Sequence, residues 1–244
     1  GQKKSVSQES LQLMRVIHFM TIYIDLFNLQ VKIPTQYAAF SFFTAVRQSE
    51  INLGQMNLSG NKTHAIKIIA DNLSYHAPEL SLPRKSIKVI PNLLLCFTNL
   101  SSLNLFSNEL EELHDFFGLL RGLKKLDLRG NQLRTLPSSI GLLVNLKWLD
   151  LESNKLEELP HTMGNLKEIE ELYLGHNPTL ASLPHTIGNL TKLQKLHLVG
   201  IEAFLPHEQR QGIQALFPRR VQIYFDFVQN NGRGVPVVHG TQPN

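Results

Sequence analysis

Asp127 and Asp150 are the residues whose spacing most invites a chemical reading. They hold the same phase in two adjacent 23-residue units. In stacked coils that sets their carboxylates about one strand spacing apart, ~5 Å, a pairing that could do acid–base work. Lys125 and Arg129 lie beside them and nothing in the sequence encloses the pair. A solvated charge network is therefore the expectation, because catalytic carboxylates need partial burial to tune their pKa. Gly54 to Thr63, GQMNLSGNKT, has the outline of a phosphate-binding loop. It carries one residue too many between its glycines and another before Lys62, which would carry the amine past the phosphates. His207-Glu208 opens like a zinc-protease helix, but Gln211 stands where the second His is needed, so no metal site is expected. Cys96, set among Leu93, Leu94, Leu95 and Phe97, reads as a small buried hydrophobe. No catalytic residue, metal or cofactor is expected.

Composition narrows the classes further. The net charge of +4 is carried by scattered basic residues. The pairs Lys3-Lys4, Arg84-Lys85 and Arg219-Arg220 lie far apart and make no dense tract, which argues against nucleic acid. One cysteine allows no intrachain disulfide, and this outweighs the sequons at Asn57, Asn61, Asn72, Asn99 and Asn189 in favour of a reducing compartment. The most apolar run, Val16 to Leu29, contains His18 and Asp25 and is short for a bilayer, so a buried helix is expected and no membrane span. The chain opens on Gly1 rather than Met, which fits a start lying upstream.

The elements that must position these residues come from a repeat. LSLPRKSIKVIP starts at Leu80, LNLFSNELEELH at Leu103, LDLRGNQLRTLP at Leu126, LDLESNKLEELP at Leu149 and LYLGHNPTLASLP at Leu172, each 23 residues after the last. LHLVGIEAFLP follows at Leu196 after one inserted residue, and VQIYFDF from Val221 reads as a closing strand. L-x-L has a period of two, so both leucines face one side of a short strand. The Pro and the SSIG, HTMG or HTIG turns then send the chain back. One such coil cannot bury its own apolar face, and stacked coils bury one another's. Asn108, Asn131, Asn154 and Asn177 recur at one phase, as a structural ladder whose amides serve the backbone of adjacent turns. Lys85 and Ile201 replace Asn at the two ends.

The pattern L-x-L-x-x-N-x-L-x-x-L-P resembles the leucine-rich-repeat family over roughly residues 77 to 225. It implies an α/β solenoid, a leucine-rich-repeat horseshoe with parallel strands on the concave face, a helical N-terminal segment and a short C-terminal cap. The corresponding division is 1–76 as helical cap or domain, 77–206 as repeats, 207–229 as C-terminal cap and 230–244 as flexible tail. In the first segment, helices are expected around Leu11 to Ile17, Ala38 to Val46 and Ala65 to Leu73.

If the L-x-L leucines point inward, the residues flanking them line the open face in three rows. The first holds Glu79, Ser102, Lys125, Trp148, Glu171, Lys195 and Arg220. The second holds Ser81, Asn104, Asp127, Asp150, Tyr173, His197 and Gln222. The third holds Pro83, Phe106, Arg129, Glu152, Gly175, Val199 and Tyr224. The chain's one tryptophan, Trp148, thus falls diagonal to Tyr173, with His197 beyond and Phe106 two coils away. Aromatics bordered by Lys125, Asp127, Arg129, Asp150 and Glu152 have the composition of an interface centre with a charged rim. The expectation is a monomeric, non-catalytic module that binds a protein partner on this face.

The LPxxIG units and the scarcity of cysteine are similar to two groups of intracellular repeat proteins. One is the effectors that bacterial pathogens inject into host cells; the other is the eukaryotic Ras-group scaffolds. The short array and helical front segment favour the effectors, which implies a host-protein partner and secretion into the host cytoplasm. Some such effectors carry a catalytic-cysteine ubiquitin-ligase domain, which is not carried over here. The rival from another class is an enzyme with its activity in residues 1–76 and the repeats as substrate receptor. Oligomerisation through an exposed end of the solenoid is a third reading.

Overall fold

Three residues of strand per coil are all that L-x-L can supply before a bend, and three is what each strand has. The computed structural model describes residues 60–72, 78–90, 94, 99–201, 212–213, 215–217 and 221–225. Two units are distinguished, one of residues 1–75 and 90–98, the other of 76–89 and 99–244.

In the first unit the described helix is α1 (Gly60–Asn72), with Ala65, Ile66 and Ile69 fully buried. It covers most of the helix expected from Ala65 to Leu73 and begins earlier. The other expected helices, residues 54–59 of the glycine-rich loop, and Cys96 lie outside the described residues, as do His207, Glu208 and Gln211.

Among the described residues the second unit holds seven strands: β1 (Glu79–Ser81), β2 (Ser102–Asn104), β3 (Lys125–Asp127), β4 (Trp148–Asp150), β5 (Glu171–Tyr173), β6 (Lys195–His197) and β7 (Gln222–Tyr224). They form one open sheet in chain order, every pair parallel. Leu80, Leu103, Leu126, Leu149, Leu172, Leu196 and Ile223 stand in register and are at most 3% exposed. Each fully buried leucine contributes about 1.5–3 kcal/mol relative to exposure, and only a stacked neighbour can provide that burial.

The return path runs through 3-10 turns at Asp115–Leu119, Ser138–Leu142, His161–Asn165 and His185–Asn189. Pro137, Pro160 and Pro184 precede three of them with φ of −65°, −66° and −63°, the value their rings impose. The glycine within these turns has a packing reason. A Cβ on Gly118, Gly141 or Gly164 would collide with the backbone oxygen of Ser139, Thr162 or Thr186 in the next coil.

The asparagine ladder closes the bend after each strand. Asn131 donates from Nδ2 to Leu105 O (3.0 Å) and Leu128 O (2.8 Å), and its Oδ1 accepts from Leu110 N (3.1 Å). Asn154 repeats the set with Leu128 O, Leu151 O and Leu133 N, and Asn177 with Leu151 O, Leu174 O and Leu156 N. Asn108 serves the first coil, accepting from both Lys85 N and Ile87 N. All four are buried, so each amide satisfies backbone groups that water cannot reach.

The last strand corrects one expectation. Arg220, Gln222 and Tyr224 were assigned to the first, second and third rows, but β7 pairs Gln222 with Lys195, Ile223 with Leu196 and Tyr224 with His197. The register is two residues away from the one expected. A two-residue shift preserves inside–outside parity, so alternation alone does not distinguish the two registers. Contacts decide it: Leu198 N donates to Tyr224 O (2.8 Å), and the Tyr224 ring stacks on His197.

Candidate functional site

With the leucines turned inward, the parallel register fixes which outward side chains become neighbours. Trp148 lies across from Lys125 on one side and Glu171 on the other; Asp150 pairs with Tyr173, and Tyr173 with His197. Four rings follow along the sheet. Trp148 and Tyr173 have centroids 5.5 Å apart and tilted, Tyr173 and His197 stack at 4.2 Å, and His197 and Tyr224 stack at 4.2 Å. Each remains partly open to solvent. Tyr224 is the member that the sequence reading missed. The available signal was that a two-residue shift would extend the row by one ring.

Polar neighbours hold the row still. Tyr173 Oη donates to Glu171 Oε2 at 2.5 Å, and Lys195 Nζ donates to Glu171 Oε1 at 2.8 Å. Burial pushes the Tyr173 phenol up to about 12, with the Glu171 contact adding to it, so the hydroxyl stays a donor. The hydrogen bonds from Lys195 and Tyr173 hold the Glu171 carboxyl below its usual range. Burial between the Tyr173 and Tyr224 rings pushes His197 down, against the pull of Glu171. The Lys125 ammonium lies 4.6 Å from the Trp148 ring centroid, a cation–π distance.

Phe106 does not join this group. Its ring is bracketed by the guanidinium groups of Arg129 at 4.5 Å and Arg84 at 5.3 Å. Arg129 is divided between that ring and Asp150, whose Oδ2 lies 3.8 Å from its Nε.

The aspartates depart from expectation. Asp127 and Asp150 are register partners, as the phase implied, but they are 8% and 2% exposed rather than solvated. The reason is local. Asp150 Oδ1 accepts from Glu152 N (2.9 Å) and Asp127 Oδ1 accepts from Arg129 N (3.1 Å), folding each carboxylate back over its own strand end. Asn104, one coil earlier in the same row, makes the equivalent bond from Phe106 N (2.9 Å). Burial raises both carboxyls, and Asp150 reaches about 6, with Asp127 and Glu152 adding repulsion. Glu152 leans toward the space that Gly175 leaves empty: a Cβ on Gly175 would lie 3.1 Å from Glu152 Oε1. Among the described residues no group of three or more His, Cys, Asp or Glu could hold a metal ion, and no helix is long and apolar enough to cross a membrane.

The architecture and the repeat together define a class. Residues 77–215 match the family described as a leucine-rich repeat region, and the chain belongs to that family. Among solved structures it is similar to the plant peptide hormone receptor RGFR1 in complex with RGF2, at 34% identity and a TM-score of 0.50, over 60% of this chain and 24% of that one. It is also similar to a leucine-rich-repeat protein of Leptospira interrogans, at 32% identity and a TM-score of 0.46, over 56% of this chain and 40% of that one. A third is the ectodomain of the receptor kinase GASSHO1/SCHENGEN3 from Arabidopsis thaliana in complex with Casparian strip integrity factor 2. There the identity is 32%, the TM-score 0.44, and the cover 50% of this chain and 15% of that one. The chain thus spans 40% or less of the length of each of these three structures. No curated protein sequence matches it. Leucine-rich repeats form protein-interaction modules, and the fold is generally non-catalytic.

Proposed function

We propose that the strand face of this protein is its partner-binding surface, centred on Trp148, Tyr173 and His197 and extended by Tyr224. One observation carries this reading: four rings in a continuous row stay half-open on a sheet whose backbone is fixed by in-register neighbours. Rings held in place before contact lose little freedom on docking, which lowers the entropic cost of binding. Lys125, Arg129 and Glu152 serve as the polar rim, with Asp127 and Asp150 buried beneath it and Phe106 at the outer edge beyond Arg129. The solved receptor at 34% identity is in complex with RGF2, which supports a polypeptide as the class of partner.

For the partner's source we take the effector reading: a host protein, met after delivery into the host cytoplasm, with the module acting as a monomer. The short array and the helical front segment expected from the sequence, which favour the effectors over the Ras-group scaffolds, support it. Crosslinking pull-down from host lysate and, in parallel, from lysate of the source organism, run with wild type and with Trp148→Ala/Tyr173→Ala, tests both parts. The expected result is a host protein captured by the wild type and lost with the variant, whose circular dichroism melt is unchanged. Undiminished capture by the double variant overturns the strand-face assignment, and capture of proteins from the chain's own source organism alone overturns the host assignment.

A further inference from the structure

Asp150 is an odd residue to keep where it is. Its structural task is to cap the end of β4 by accepting from Glu152 N, and Asn104 does the same task two coils earlier without a charge. A buried ionised carboxylate costs stability unless a cation compensates it, and here compensation is thin. Lys195 is committed to Glu171. That leaves Asp127, Asp150 and Glu152 facing Lys125 and Arg129 at the centre, with Arg84 on the far side of the Phe106 ring. Lys125 rests its ammonium on the Trp148 ring, and Arg129 reaches Asp150 only at 3.8 Å while covering Phe106. Glu152 takes part in neither ion pair of this face, Arg129–Asp150 or Lys195–Glu171. The centre of the strand face is thus short of positive charge on a chain whose net charge is +4.

We infer that the strand face docks a basic polypeptide segment, with an Arg or Lys side chain laid along the Trp148 and Tyr173 rings and its charged head at Glu152, above the buried carboxylate of Asp150. This rests on the strand face being the binding surface. The aromatic row accommodates the aliphatic stem and offers a cation its ring faces. Glu152 stays partly exposed just past the end of β4, so its carboxylate can be reached from the ring side. The two carboxylates then complete their neutralisation only when the partner arrives, so the charge that weakens the free protein favours the complex.

The test titrates the full chain with a short peptide alternating Arg and Ser, against one alternating Glu and Ser, reading the emission of the chain's single tryptophan. The Arg peptide is expected to give a saturable change that added salt weakens, and the Glu peptide none. In Asp150→Asn/Glu152→Gln, affinity for the Arg peptide is expected to fall at least about tenfold, while the melt shows a fold no less stable than the wild type. Equal response to both peptides, or unchanged affinity in the variant, overturns the inference. Partner capture separates the two levels. If Asp150→Asn/Glu152→Gln still captures the partner and Trp148→Ala/Tyr173→Ala does not, recognition by this face stands and the cationic segment falls. If both variants capture it, recognition by this face falls as well.

Discussion

At the residue scale, Asp150 links stability to pH in the direction opposite to an ion-paired carboxylate. Its pKa is about 6 in the fold, against an ordinary 3.8, chiefly because burial disfavours the charge. Below about pH 4 both folded and unfolded chains hold the proton, and the residue costs nothing extra. Between about 4 and 6 the folded chain holds a proton that the unfolded chain has lost, so stability falls as pH rises through that window, and above 6 the full penalty applies. Asp150→Asn keeps the bond from Glu152 N and removes the charge. It should raise the melting temperature at pH 7, with the gain fading toward pH 4; a gain that grows on acidification would contradict this. The asparagine ladder behaves differently, because its amides have no substitute. Asn131→Ala or Asn154→Ala strands the buried amide of Leu110 or Leu133 and neighbouring carbonyls, and should cost about 1–3 kcal/mol in urea unfolding. Unchanged midpoints for both would mean that the ladder contributes nothing. The phase of those asparagines was legible from the sequence because an amide is the side chain that both donates and accepts. The burial of Asp127 and Asp150 was not, since carboxylates near Lys125 and Arg129 look solvated until the bonds from Arg129 N and Glu152 N, just past the strand ends, are seen.

At the element scale, the coil is a strand, a left-handed residue, an asparagine and a proline-led turn. The left-handed position is Arg84, Ser107, Gly130, Ser153, His176 and Gly200 in successive coils, with φ between 53° and 80°. Only glycine takes that conformation without penalty; for other residues it costs about 1–2 kcal/mol. Gly130→Ala, whose new Cβ would have its nearest neighbour at 3.4 Å, should therefore lose roughly 1 kcal/mol from backbone strain, offset in part by lower unfolded-chain entropy. Gly141→Ala has no such room, because its Cβ meets the Thr162 carbonyl of the next coil. Forcing adjacent coils apart should cost about 1–3 kcal/mol. Chemical denaturation of the two variants side by side checks the ranking, and a Gly141→Ala midpoint above that of Gly130→Ala would contradict the packing. The sequence makes the coil legible because a 23-residue period and in-phase leucines leave few ways to stack. It leaves β7 ambiguous, since Val221, Ile223 and Phe225 offer two inward pairs of the same parity and the distance from Leu196 is no longer 23 residues.

At the scale of the whole repeat unit, a sheet built only from short parallel strands has little to offer chemically except the order of its outward side chains. That order was readable in advance for Trp148, Tyr173 and His197, because strand parity and the repeat phase alone determine it. What the sequence could not supply was contact: Lys125 over the indole, Glu171 clamped by Tyr173 and Lys195, Arg129 drawn off toward Phe106. These depend on side-chain reach across coils, which a one-dimensional pattern does not encode. The single tryptophan gives the most direct measurement of the result. Acrylamide quenching of Trp148 emission, in the free protein and at saturating captured partner, reports whether the indole is covered on binding. Recognition by the strand face predicts ready quenching of the free, half-open ring and marked protection in the complex; equal quenching in both states would contradict it.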